Sequence, residues 1–246
     1  MYTDIQGLVI AEKKQGESGK LLTVLTPNLG VLKISTKGGT KLTSSLFASS
    51  QLFAYSDMTI YQKGNFYTLT EATVKDVFFE LNENLVSLSL ACWLCEIASS
   101  VSVGADEQGE IFRLLLNSLW YLSKNPEKHA FIKAVFELRV LFMIGFCPDL
   151  VCVECGEEPK CDVIFDYGSG DIFCAECAKA QGERIFLRRD VYLALKYIAM
   201  CPPKRVFSFS VGEDDERVLS QFSERFLINM TGIHTAKLDF YKNMHF

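Results

Sequence analysis

Three features of this 246-residue chain predict an α+β protein of several domains. Apolar and polar residues alternate with period two until about residue 80, the apolar period then lengthens to three and four, and two Cys-x-x-Cys pairs interrupt the helical part. The expected divisions are a β-barrel over 1–80, the first part of a helical bundle domain over 81–150, an inserted four-cysteine ribbon over 151–182, and the rest of the helical domain over 183–246.

Five strands are expected in the first part: Ile5 to Ala11, Leu21 to Leu25, Val31 to Ser35, Gln51 to Tyr61 and Phe66 to Thr70. Turn formers separate them: Gly16-Glu17-Ser18-Gly19, Pro27-Asn28-Leu29-Gly30, Lys37-Gly38-Gly39 and Gly64-Asn65. So many short strands in so few residues suit a small closed barrel, for which the OB-fold is the commonest solution. Helices are expected over Leu85 to Val103, Ile111 to Leu122 and Phe131 to Phe146, the last with Phe131, Val135, Leu138 and Phe142 on one face. Asn125-Pro126 separates the second from the third, because proline cannot continue the hydrogen-bonded ladder. A further helix is expected from an Asp190 cap to about Met200, and a last one over Asp215 to Met230.

Cys152, Cys155, Cys174 and Cys177 carry the strongest chemical signal. Paired Cys-x-x-Cys knuckles at this spacing let four thiolates close around one zinc ion. Gly156 suits the turn after the first knuckle. Val163-Ile164-Phe165 and Asp171-Ile172-Phe173, joined through Gly168-Ser169-Gly170, read as the hairpin that returns the second pair to the first. Four sulfur ligands leave no open position for water, so the metal would brace the fold and activate no nucleophile. A zinc nucleobase deaminase would need proline directly before a Cys-x-x-Cys pair, where Val151 and Phe173 stand. Cys161 fits neither knuckle, and Cys92 and Cys95 lie in a helical apolar stretch and read as buried small hydrophobes.

Composition excludes other classes. At 49% hydrophobic the chain is globular, no run approaches a membrane span, the first residues lack the layout of a secretory signal, and an odd nine cysteines fit a reducing cytoplasmic compartment. The net charge of −5 hides an early excess of cations: residues 1–41 hold six lysines, Lys13, Lys14, Lys20, Lys33, Lys37 and Lys41, against three acids. Cations gathered on one barrel face can bind phosphates even on an acidic chain, although single lysines on the polar side of a strand also serve as a solvated edge. Tyr61, Phe66 and Tyr67 could stack on bases, but most rings of a small barrel fill its core. Gly16-Glu17-Ser18-Gly19-Lys20 fails as a phosphate loop, since Lys14 and Leu21 stand where Gly and Ser or Thr are required. His129, His234 and His245 are scattered and build no catalytic site. Arg139, alone in an apolar helix, is open to two readings, an internal ion pair or a cleft for an acidic tail.

The chain resembles the DNA repair protein RecO family of recombination mediators over nearly its whole length. The resemblance rests on Gly16-Glu17-Ser18 with Lys20-Leu21-Leu22-Thr23 and Leu25-Thr26-Pro27, on Lys37-Gly38, and on Thr68-Leu69-Thr70-Glu71-Ala72. It rests above all on Phe136-Glu137-Leu138-Arg139 running through Gly145-Phe146-Cys147-Pro148-Asp149-Leu150 into Cys152-Val153-Glu154-Cys155-Gly156, with Lys237-Leu238-Asp239-Phe240 near the end. It implies a non-enzymatic, nucleoid-associated protein that binds single- and double-stranded DNA and anneals complementary strands. With RecR as partner, such a protein helps RecA load onto DNA coated by single-strand binding protein. After Lys37-Gly38 the chain offers one lysine, Lys41, where the family carries several basic residues, so the expected DNA binding is salt-sensitive and dependent on partner proteins.

Two rival readings follow from the same residues. In one the ribbon and barrel form a protein-interaction module, a transcription or translation accessory factor without annealing activity. In the other the zinc is hydrolytic, which would need an open coordination position and a placed base.

Overall fold

The computed structural model describes residues 1–102, 108–178 and 184–244. The expected helix end at Val103, the ribbon end at 179–182 and His245 lie outside the described residues. By its internal contacts the chain divides into two units, Met1–Pro126 joined by Lys237–Phe246, and Glu127–Ala236. This division differs from the one drawn at residue 80, where strand gives way to helix.

The first unit contains a closed barrel of β1 (Tyr2–Gln15), β2 (Gly19–Thr26), β3 (Gly30–Thr36), β4 (Ala54–Lys63) and β5 (Phe66–Val77), in the order β1-β2-β3-β5-β4. Every pairing is antiparallel except β3 with β5. This is the five-stranded, OB-like barrel that the alternation predicts. Val9, Leu22, Val24, Ile34, Met58, Ile60 and Leu69 fill its core. Irregular register at Val9/Ala11 in β1, and at Lys75 and Thr70 of β5 opposite Tyr55/Ser56 and Thr59/Ile60, supplies the local bends that closing a sheet demands. Gly7 is required by space: a Cβ there would stand 2.4 Å from the Val24 side chain. The strands run longer than the alternation reached, except that β4 starts at Ala54 and not at Gln51. Phe53 has a φ of +63°, which takes the chain out of extended geometry, while its N–H binds Val9 O at 2.8 Å.

Two helices, α1 (Leu85–Val101) and α2 (Gln108–Lys124), complete this unit together with the short α6 (Ala236–Asn243). Asn84 caps α1 by accepting from Val86 N and Ser87 N at 2.9 and 3.2 Å. Cys95 is buried in α1, among Trp93, Leu94 and Ile97, and Cys92 is half-buried. Leu238 and Tyr241 of α6 are buried, and Lys237 pairs with Glu96 of α1 at 2.5 Å.

The second unit holds α3 (His129–Met143), α4 (Arg189–Met200) and α5 (Glu213–Thr231) with a three-stranded sheet ordered β7-β6-β8. Its strands are β6 (Val163–Asp166), β7 (Ile172–Cys174) and β8 (Arg184–Leu187). The sheet has no separate core: Phe165 of β6 lies 4.8 and 4.9 Å from Phe222 and Phe226 of α5. Between α3 and α5, Lys133 and Glu137 are fully buried and meet at 3.0 Å. Lys133 also reaches Glu224 at 3.1 Å and Ser220 O at 3.2 Å, while Ser223 donates to Glu137 at 2.6 Å. Each buried charge thus has several partners, which is the condition for burying it at all.

Two expected helix starts need correction. Asp190 does not cap α4: the residue before the helix is Arg188, and the N–H of Arg189 is taken at 2.8 Å by Asp162, a residue distant in sequence. Gly212 precedes α5, so Asp215 is its third residue, buried and paired with Arg188 at 2.5 Å. β8 and α6 were missed, being four residues long and weakly amphipathic respectively.

Candidate metal centre and nucleic-acid interface

The hairpin β6–β7 carries the cysteine site. Asp166 Oδ1 accepts from Gly168 N at 2.9 Å and Ser169 N at 3.3 Å, and Gly170 takes a φ of +79°, so the turn is set by side-chain hydrogen bonding and one left-handed residue. Arg184 of β8 binds Asp166 at 3.1 Å and covers the Phe173 ring at 4.4 Å. Burial opposes ionisation of Asp166, but the Arg184 guanidinium and the two turn N–H groups prevail and hold its carboxyl below the ordinary value of 3.8.

The first knuckle is fastened to this hairpin by backbone bonds. Val153 N donates to Ile172 O at 2.9 Å, Cys152 N to Glu157 O at 2.9 Å, and Gly156 N to Cys152 O at 2.8 Å with Gly156 at φ +75°. At the second knuckle β7 ends on Cys174, whose carbonyl accepts from Cys177 N at 3.1 Å and Ala178 N at 3.2 Å. The four sulfur atoms of Cys152, Cys155, Cys174 and Cys177 consequently lie within 4.8 Å of one another. A tetrahedron with metal–sulfur bonds of about 2.3 Å has edges of about 3.8 Å, so the quartet has the size of a four-thiolate site. Among the described residues it is the cluster of His, Cys, Asp and Glu ligands that could hold a metal ion.

The electrostatics favour a cation. Burial would raise the Cys152 thiol, but N–H groups of Cys155, Cys174 and Glu154 directed at its sulfur bring it down to about 6. The neighbouring Cys174 thiol, with burial, pushes Cys177 up to about 12. For Cys155 the pull of the Glu157 backbone is outweighed by the Cys152 thiol and burial, leaving it raised. One thiolate forms readily and the next are opposed by its charge; a divalent ion at the centre removes that opposition. Cys161 is exposed and outside the quartet, and burial raises the thiols of Cys92 and Cys95, which suits apolar packing.

The candidate lysines separate into groups. Lys13 and Lys14 are exposed at the end of β1, Lys33 is exposed on β3, and Lys37 and Lys41 are exposed in the loop after β3. That loop is tied to the β1–β2 turn by Thr40 N to Ser18 O at 3.3 Å. Lys20 is different. It is 8% exposed, and its ammonium is held by Glu12 at 2.6 Å and Ser50 O at 3.0 Å. It sits one pair from the β1–β2 turn and offers no free charge to a phosphate. Phe66 is 80% exposed and Tyr61 partly so, whereas Tyr67 packs against the barrel core. Arg139 donates to Ile198 O and Ala199 O at 2.6 and 3.1 Å, satisfying carbonyls at the end of α4.

Comparison with known proteins places this arrangement. The family model described as recombination protein O N terminal matches residues 1–78, and that described as recombination protein O C terminal matches residues 82–238. The break between them falls where β5 gives way to α1. The DNA repair protein RecO of Acetivibrio thermocellus is 28% identical over 244 residues, covering 99% of this chain and 97% of that protein. The protein of the same name from Heliobacterium modesticaldum is 35% identical over 217 residues, covering 84% of this chain and 77% of the relative. That from Caldicellulosiruptor saccharolyticus is 26% identical over 242 residues, covering 98% of each.

Proposed function

The chain belongs to the recombination protein O family of DNA repair proteins, and from that premise we propose that it is a non-enzymatic recombination mediator. In this reading it binds single- and double-stranded DNA, anneals complementary strands in the RecF pathway, and acts with RecR to let RecA load onto DNA coated by single-strand binding protein. The observation that carries the reading is the OB-like barrel bearing exposed Lys13, Lys14, Lys33, Lys37 and Lys41 within a chain matched by both family models. Annealing requires that two polyanions be held together with their bases free. Lysine ammoniums supply this by displacing condensed counterions, and no covalent bond changes.

The ion that fits the cysteine quartet best is zinc, one per chain, held by Cys152, Cys155, Cys174 and Cys177. Four thiolates complete its coordination, so its chemistry is the fixing of two knuckles to the β6–β7 hairpin. No helix among the described residues is long and apolar enough to cross a membrane.

An annealing assay with complementary oligonucleotides, run with and without single-strand binding protein, tests the proposal. Reversing Lys13, Lys14, Lys33 and Lys37 to glutamate should abolish annealing while metal content stays at one per chain. Metal-replete protein that anneals nothing, alone or with RecR, would favour an interaction module instead.

A further inference from the structure

The barrel register aligns exposed rings and cations on one outward row. Tyr2 of β1 pairs with Tyr61 of β4, Tyr61 with Thr68 of β5, Thr68 with Ser35 of β3, Ser35 with Leu21 of β2, and Leu21 with Lys13. The row thus leaves β1 at an aromatic residue, crosses every strand, and returns to β1 at a cation. Directly paired residues of a sheet share one face, so these side chains all stand on the outer surface of the barrel. The adjacent row contains Lys63 paired with Phe66, and Lys33 paired with Thr23. Tyr67 is matched with Ile34 in the parallel β3–β5 pair, which sets Phe66 beside Lys33.

The surface has two chemically distinct halves. On one, Tyr2 is 66% and Phe66 80% exposed, and Tyr2 leans on Tyr61 with ring centroids 5.0 Å apart. On the other stand Lys13 and Lys33, with Lys63 at the aromatic margin, all exposed. The residues between them, Thr68, Ser35, Thr23 and Leu21, carry no charge. One pair further along β4, Thr59 is matched with Asp4 and with Glu71, an acidic border. That border repels a polyanion on its side and leaves the rings and lysines open to one.

Resting on the DNA-binding reading above, we infer that Tyr2, Tyr61 and Phe66 form a base-stacking platform for single-stranded DNA, whose phosphates run over Lys63, Lys33 and Lys13. Rings this exposed contribute nothing to the barrel core, and every nucleobase offers them a face. Duplex DNA keeps its bases stacked internally and can use only the lysine half. Neither Tyr2 nor Lys63 was singled out from the sequence, because only the register brings them beside Phe66 and Lys33.

The test uses the whole chain and two probes of equal length and charge, an oligodeoxythymidine strand and its abasic counterpart, followed by fluorescence anisotropy. The unaltered protein should bind the base-bearing strand at least about tenfold more tightly than the abasic one. In Tyr2→Ala/Phe66→Ala that advantage should shrink to near unity, with abasic and duplex binding unchanged and the salt dependence preserved. In Lys33→Ala/Lys63→Ala both probes should weaken equally and the salt dependence should flatten. Phe66→Trp should retain the advantage and show indole quenching on the base-bearing strand alone. If the ring variants keep the full advantage, or if Phe66→Trp is not quenched, the platform is refuted and the patch serves another partner. If the unaltered protein binds both probes equally while still annealing, the platform fails and the mediator reading stands. Absence of binding to any DNA would overturn both.

Discussion

Lys33 and Lys20 come from the same lysine-rich stretch, yet the structure gives them opposite duties, and substituting each should separate DNA affinity from stability. Five exposed lysines, Lys13, Lys14, Lys33, Lys37 and Lys41, remain after Lys20 is set aside, and Lys63 of β4 makes a sixth. If each neutralises one phosphate of a single strand, the slope of log affinity against log salt is roughly −0.7 per contact, or about −4.2 in all, so affinity falls about 300-fold between 50 and 200 mM salt. Lys33→Ala should reduce the slope to about −3.5 and the fall to about 100-fold, with an unchanged melting temperature. Lys20→Met should leave the slope alone. It deprives Glu12 and Ser50 O of their donor; because the Glu12 side chain is about a third exposed (32%), the loss is discounted for solvent to about 1–2 kcal/mol. A chain of this size should then melt roughly 2–8 °C lower. Anisotropy titrations at several salt concentrations, with thermal unfolding by circular dichroism, measure both quantities. A Lys20 variant that flattens the salt slope as much as the Lys33 variant would refute the division of roles.

Lys133→Met should destabilise the second unit by about 3–5 kcal/mol, since it leaves the buried Glu137 without its cationic partner, whereas Lys133→Met/Glu137→Met should recover most of that loss in urea unfolding. Cys155→Ser should reduce bound metal below one per chain by atomic absorption, and because Phe165 shares its packing with Phe222 and Phe226, near-ultraviolet dichroism of the aromatic cluster should change with it. Asp166 has a carboxyl held below its unfolded value, so its contribution is present above about pH 4 and lost as pH falls through the folded value. Unfolding at pH 7 should therefore show Asp166→Asn less stable than the unaltered chain, with the difference vanishing in acid.

The barrel was legible because alternation and turn residues report burial on one face, a local property of each strand. Its closure was legible too, from the number of short strands in so few residues, but the parallel β3–β5 pair was not, since it depends on contacts between distant segments. The cysteine quartet was legible from spacing alone, and the hairpin between the knuckles from its glycines. What spacing could not show is that this sheet packs on α5 through Phe165, or that Asp162 supplies the partner at the start of α4. Lys20 looked like one more surface cation; alternation placed it on a strand without revealing that Glu12 and Ser50 close around it. Arg139 was ambiguous for the same reason, as its acceptors are carbonyls about sixty residues away.

The return of α6 to the first unit has a consequence for the order in which the molecule is made. Glu96 and the α1 surface beside it emerge from the ribosome long before Lys237, Leu238 and Tyr241, and the whole Glu127–Ala236 segment has to be synthesised in between. At about 5–20 residues per second this is a delay of roughly 6–20 s. During that interval a nascent barrel already closed by β1 and β4 has a helix, α1, whose Glu96 still waits for its lysine.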